Sequence, residues 1–136
     1  MGFEVFLQCF GETTHSGISR SAVRSLFPVV DEESELDYWL VRYDERDRCH
    51  IGASPLSSNP EFLSGFYVER PCADARFWEA LLSVLRMGSV VIYWPGGPPV
   101  VADGGDASRL PQDMTDSIGS PRSVSSADEL LRLIRQ

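Results

Sequence analysis

The chain has 136 residues, 43% of them hydrophobic, with 20 acidic side chains against 12 basic ones and a net charge of −8. Such a length and composition suit one globular domain that buries a core without staples, and the acidity argues against a nucleic-acid partner. All 12 basic residues are arginine, which excludes a Schiff-base lysine, a Walker lysine and a lysine general base.

No apolar run approaches the roughly 20 residues needed to span a bilayer, and anionic lipid would repel so acidic a chain. No membrane association is expected. Cys9, Cys49 and Cys72 are odd in number and show no close pairing, and the start Met-Gly-Phe-Glu lacks the basic-then-apolar pattern of a signal peptide. The expectation is a cytoplasmic protein with reduced thiols.

Residues Phe3 to Phe10 alternate in the manner of a strand, with Phe3, Val5, Leu7 and Cys9 on a wholly apolar face and Glu4, Phe6, Gln8 and Phe10 on a partly covered one. Turn residues and His15 occupy Gly11 to Gly17. Ser19 then caps a short helix through Phe27 whose buried stripe is Val23, Leu26 and Phe27, ended by Pro28. The acidic run Asp31 to Asp37 reads as a connection into a strand of high β propensity, Tyr38 to Tyr43. Asp44 to Asp47 turns into a third strand, Arg48 to Ala53, which completes a hairpin. After the polar loop Pro55 to Pro60, Gly65 leaves Phe62 to Arg70 ambiguous, and the strand is placed at Phe66 to Glu69.

The stretch from Phe77 to Asp103 organises the rest. Phe77, Trp78, Leu81, Leu82 and Leu85 fall on one helical face, opposite Arg76, Glu79, Ser83 and Arg86. Asp74 is the expected N-cap and Gly88 the expected αL stop. Val90 to Trp94 is an unbroken β-branched and aromatic run, a strand buried on both faces and central in the sheet. The Pro95 to Pro99 turn follows, then a short extended segment at Val100 to Ala102. A short helix from Pro111 to Ile118 is closed by Gly119, Val124 adds a little edge strand, and Ser126 with Glu129 forms a capping box ahead of Leu130, Leu131, Leu133 and Ile134. The fold class is α+β: a single domain over residues 1–136 with a mostly antiparallel sheet of about four to six strands, a central amphipathic helix and a C-terminal helix.

Three quarters of the net charge lies between Asp31 and Asp47, where eight carboxylates face Arg42 and Arg46 alone. The candidate binding surface is therefore Asp31, Glu32, Glu33, Glu35, Asp37, Tyr38, Trp39, Asp44, Glu45 and Asp47, aromatic contact area amid carboxylates that suits a basic protein partner. The spacing Asp31, Glu33, Glu35 lacks the central glycine and the twelfth-position glutamate of a calcium loop, where Arg42 stands instead. Cys49 and His50, adjacent on a strand, point to opposite faces and cannot activate each other; only a distant pairing such as Cys72 with His15 is left. No short pair of zinc ligands occurs, and no Gly-x-Ser-x-Gly elbow surrounds Ser16. Pro98 and Pro99 remove the amides that a phosphate loop at Gly96 and Gly97 would need, while Arg20 and Arg24 suit a solvated helical face. No catalytic residue, cofactor or metal is assigned.

Ile18 to Pro28 (ISRSAVRSLFP), Tyr38 to Asp44 (YWLVRYD) and Met87 to Asp103 (MGSVVIYWPGGPPVVAD) together resemble a group of small bacterial proteins. Some of that group are similar in size and acidity to immunity proteins encoded beside secreted polymorphic toxins. The resemblance covers under a third of the chain and transfers no residue-level motif. It implies a stoichiometric inhibitor whose partner is a secreted toxin domain. Two other readings stand beside it: a small enzyme or ligand-binding domain with a pocket between sheet and helix lined by Trp78, Tyr93 and Trp94, and a regulatory subunit whose acid serves solubility.

Overall fold

A computed structural model of the chain describes residues 3–33, 35, 37–105 and 107–135. The elements are β1 (Glu4–Cys9), α1 (Thr13–Ser16), β2 (Ile18–Ser19), α2 (Arg20–Ser25), β3 (Val29–Glu33), β4 (Tyr38–Arg42), β5 (Arg48–Pro55), β6 (Phe62–Glu69), α3 (Ala75–Leu85), β7 (Val90–Tyr93), β8 (Val100–Ala102), α4 (Gln112–Ile118), β9 (Arg122–Val124) and α5 (Ala127–Ile134). The strands form one sheet in the order β3-β4-β5-β6-β1-β7-β8-β9, with β2 paired to the start of β6. Every pairing is antiparallel except β8 with β9. None of the described helices is long and apolar enough to cross a membrane.

Alternation along each strand decides what lies inside. Val5, Leu7 and Cys9 of β1 register with Val68 and Phe66 of β6 and with Ile92 and Val90 of β7, and all of these join one core cluster with Trp39, Val41, Cys49 and Ile51. Onto that face pack Val23 of α2, Leu130 of α5, and Phe77, Trp78, Leu81, Leu82 and Leu85 of α3. Each large apolar side chain taken fully out of water contributes about 1.5–3 kcal/mol before ordering costs, so the α3 stripe is a principal anchor of the domain. The Asp74 side chain accepts from the Arg76 amide and caps α3 as expected.

The second face of the sheet is covered only at one end. There Phe10, Val91, Val101 and Leu110 form a small separate cluster, with Tyr93, Ala107 and Met114 against it. This second layer is why β7 is apolar at every position, and it places β7 inside the sheet though nearer one edge than the middle. Across β3 to β1 the same face carries exposed and half-buried side chains around the buried Gly52 and Gly65.

Several expectations are corrected. The sheet has nine strands among the described residues, more than the four to six read from the sequence. The acidic run is no simple connection: Val29–Glu33 is an edge strand, with Glu33 opposite Tyr38, Asp31 opposite Leu40 and a register shift between Val29 and Asp31. Acidic residues are poor strand formers in general, but an edge strand need bury little, and its charges and irregularity protect it from pairing with other chains. The ambiguous segment is strand throughout from Phe62 to Glu69, because Gly65 supplies close approach: a Cβ there would lie 2.3 Å from the Leu7 carbonyl oxygen. Gly88 does not stop α3 in an αL conformation; the helix ends at Leu85 with Arg86 in right-handed geometry. The C-terminal capping box is half formed. Ser126 Oγ accepts from the Glu129 amide, while Glu129 turns to the hydroxyl and amide of Ser125.

Candidate functional site

The carboxylates read from the sequence as one surface fall into separate roles. Asp31, Glu33 and Glu35 are exposed, and by alternation Asp31 and Glu33 belong to the uncovered face, opposite Leu40 and Tyr38. Glu32, on the other side of β3, forms a two-pronged contact with Arg24 at 3.2 and 3.3 Å. Asp37 has φ 48° and is ion-paired with Arg20. Asp44 shapes the β4–β5 turn by accepting from the Arg46 and Asp47 amides. Asp47 accepts from the Ala73 and Asp74 amides, 2.8 Å each, and so ties this turn to the loop ahead of α3. Glu45 is exposed at the same turn.

The two acidic turns do not converge. They lie at opposite ends of β4, a five-residue strand and so about 17 Å apart at the usual strand rise. Asp47→Ala is therefore expected to act on stability and not on partner encounter. Loss of hydrogen bonds to a charged acceptor costs about 1.5–3 kcal/mol, to be read from denaturant unfolding.

Trp39 also departs from the expected surface. It is 0% exposed, opposite Ile51 on the inward face, and its indole N–H has no acceptor among the described residues. It belongs to the core and is unavailable as a docking anchor in the folded chain. Tyr38, of the opposite parity, does lie on the uncovered face.

Sequence reading missed the larger feature of that face. Cross-strand register lines up Tyr38, Gly52, Tyr67, Phe6 and Tyr93 in one row over five strands. The Tyr67 ring lies over Gly52, where an added Cβ would come within 2.3 Å of it. Phe6 stacks on Tyr93 with centroids 5.3 Å apart, and Tyr38 stacks on His50 at 4.8 Å. Tyr93 Oη donates to Gln8 and Tyr38 Oη donates to Glu69 Oε2 at 3.0 Å. Burial, the Glu69 hydrogen bond and nearby negative charge push the Tyr38 phenol up to about 12, so it stays a donor at neutral pH. Beside the aromatic row runs a polar one, in which His50, Glu69 and Glu4 are cross-strand neighbours. At the far end of β4 and β5 Arg42 opposes Arg48, so the acidic character of the face lies toward β3 and β1.

Two open recesses sit on this face and share Phe6. One, about 440 Å³, is lined by Phe3, Glu4, Phe6, Glu69, Arg70 and Pro95. The other, about 260 Å³, includes Gln8, Ser64, Tyr67 and Tyr93 among its walls. The alternation of Phe6 within β1 was a legible signal for an outward aromatic; its alignment with Tyr67 depends on register and was not.

The pocket expected between sheet and helix is not formed by its three aromatics. Trp78 is buried and donates its indole N–H to the Cys72 carbonyl, Tyr93 faces the other side of the sheet, and the Trp94 ring lies against Gly97. The cysteines are buried as well. Cys49 faces inward while His50 faces out with Tyr38. Cys72 Sγ is 2.9 Å from Cys49 Sγ, and this contact together with burial pushes the Cys72 thiol upward; burial alone raises Cys9 to about 11. Both are held protonated and are poor nucleophiles. Among the described residues no group of three or more His, Cys, Asp or Glu side chains is placed to hold a metal.

The chain matches no family model, and neither a curated protein nor a solved structure matches it.

Proposed function

We propose that this chain is a stoichiometric protein-binding module, an immunity protein that neutralises a cationic bacterial toxin domain. The observation that carries the reading is the continuity of unneutralised acid with exposed aromatic area: Asp31, Glu33 and Glu35 lie outside every ion pair of the described residues, and Asp31 and Glu33 share the uncovered face with Tyr38, which Glu33 opposes. Carboxylates of this kind steer a basic partner into encounter, and rigid aromatic side chains give contact area at low entropic cost. A standard interface needs about 800 Å² per partner, roughly a tenth of the 7644 Å² accessible surface. One face of the sheet therefore suffices. Binding is favoured over catalysis because the thiols are buried and the hydroxyl–carboxylate contact on the uncovered face, Tyr38 on Glu69, holds a phenol pushed up to about 12 that stays protonated at neutral pH.

The test is genetic. The toxic domain of a secreted effector encoded beside this gene is expressed with and without the chain, and growth is measured. Restored growth together with a co-purifying one-to-one complex is the expected result. An adjacent effector whose toxicity the chain leaves intact, or the lack of any such effector, overturns the reading.

A further inference from the structure

We infer that the recess between β1 and β6 receives an arginine side chain of the protein partner. This rests on the binding-module reading and assigns the contact at its centre. Glu4 and Glu69 are directly opposite in the antiparallel register and lie on the same, uncovered face. Like charges so placed destabilise a strand pair, and neither carboxylate is ion-paired to a basic side chain among the described residues. Tyr38 Oη supplies one neutral donor to Glu69. Among the described residues Arg70 is the only basic group lining the recess, and the Glu4, Glu69 and Arg70 side chains together carry one net negative charge. One further cation balances that charge.

The walls select among cations. Phe3, 38% exposed, and Phe6, held flat by its stack on Tyr93, give the recess two aromatic surfaces. A guanidinium is planar and weakly hydrated, stacks on rings and meets carboxylates with two parallel N–H donors, whereas an ammonium is a compact, strongly hydrated point charge. An arginine inserted here would lay its plane against a ring and its edge toward Glu4 and Glu69. Its aliphatic stem would cover Phe3.

The experiment uses the isotopically labelled full chain, titrated with a capped arginine-rich peptide and its lysine and glutamate counterparts while backbone amide shifts are followed. The assignment expects shifts at Glu4 to Phe6 and Val68 to Arg70 with the arginine peptide, none with the glutamate peptide, and binding weaker by about two- to fivefold with lysine, the scale of an exposed cation–π contact. Glu69→Gln keeps the acceptor for Tyr38 and should weaken arginine binding by a similar factor without altering spectral dispersion; Glu4→Gln is the companion variant. Equal affinity for lysine and arginine overturns the assignment, and so do shifts confined to Asp31 to Glu35 or a site taken instead by a neutral oligosaccharide or single-stranded RNA. Shifts at β1 and β6 in a chain that gives no protection against the toxin support the assignment and remove the immunity reading, so the two failures are distinguishable.

Discussion

Replacing Trp39 by alanine is expected to lower the free energy of unfolding by about 3–5 kcal/mol, the usual cost of emptying a large aromatic from a core. The side chain is fully buried on β4 with Ile51 opposite it, and a void there deprives both sheet and helices of contacts. Trp39→Phe is the informative control. It creates a smaller void and also removes a buried indole N–H that has no acceptor among the described residues, a donor whose desolvation is itself worth about 1–3 kcal/mol. The phenylalanine variant should therefore lose much less stability than the alanine variant. Denaturant unfolding of both measures the difference. An alanine variant with unchanged stability but faster dissociation from a partner would return Trp39 to the surface and contradict its placement.

Reversing Asp31, Glu33 and Glu35 together to lysine is expected to slow association with the toxin domain by about 10- to 100-fold at low salt, the range over which surface fields alter encounter. Added salt should slow binding of the natural chain by screening attraction and speed that of the variant by screening repulsion. Dissociation should change little. Asp37 is left out because its carboxylate pairs with Arg20 at a residue of positive φ, so altering it mixes folding with binding. The three chosen residues are exposed, and their replacement should shift stability by no more than about 0.5 kcal/mol. Rates identical to those of the natural chain at both ionic strengths would reduce the acidic edge to a solubility device.

Where the sequence could be read, local chemistry and tertiary context agreed. The α3 stripe has one apolar face only, Asp74 caps it, and Val90 to Tyr93 is buried on both sides. Trp39 was misread because Tyr38 to Tyr43 is apolar at both parities: Tyr38 and Leu40 on one face compete with Trp39 and Val41 on the other, and alternation cannot say which pair turns inward. The acidic β3 was hidden for a different reason. Its pairing energy comes from the backbone of β4, which composition does not report. The meeting of Phe6 with Tyr67 and Tyr93 and the Glu4–Glu69 opposition were beyond reach because they join residues more than 60 positions apart in the chain. Only strand register brings such residues together, and a one-residue slip would have sent every one of them to the other face.

The seating of β1 between β6 and β7 governs how the chain reaches its native state. The meander from β3 to β6 joins neighbours in sequence and closes short loops, whereas β1 pairs with Glu69 on one side and with Tyr93 on the other. Contacts of such high sequence separation demand loop-closure entropy before they return any stabilisation, which places folding in the slow, high-contact-order regime. Until that strand docks, two apolar sheet edges, β6 and β7, stand open together. The kinetic weak point of this protein is thus the middle of its sheet, where an unseated β1 leaves a template for another chain's strand, while the acid on the outermost strand guards an edge that is already protected.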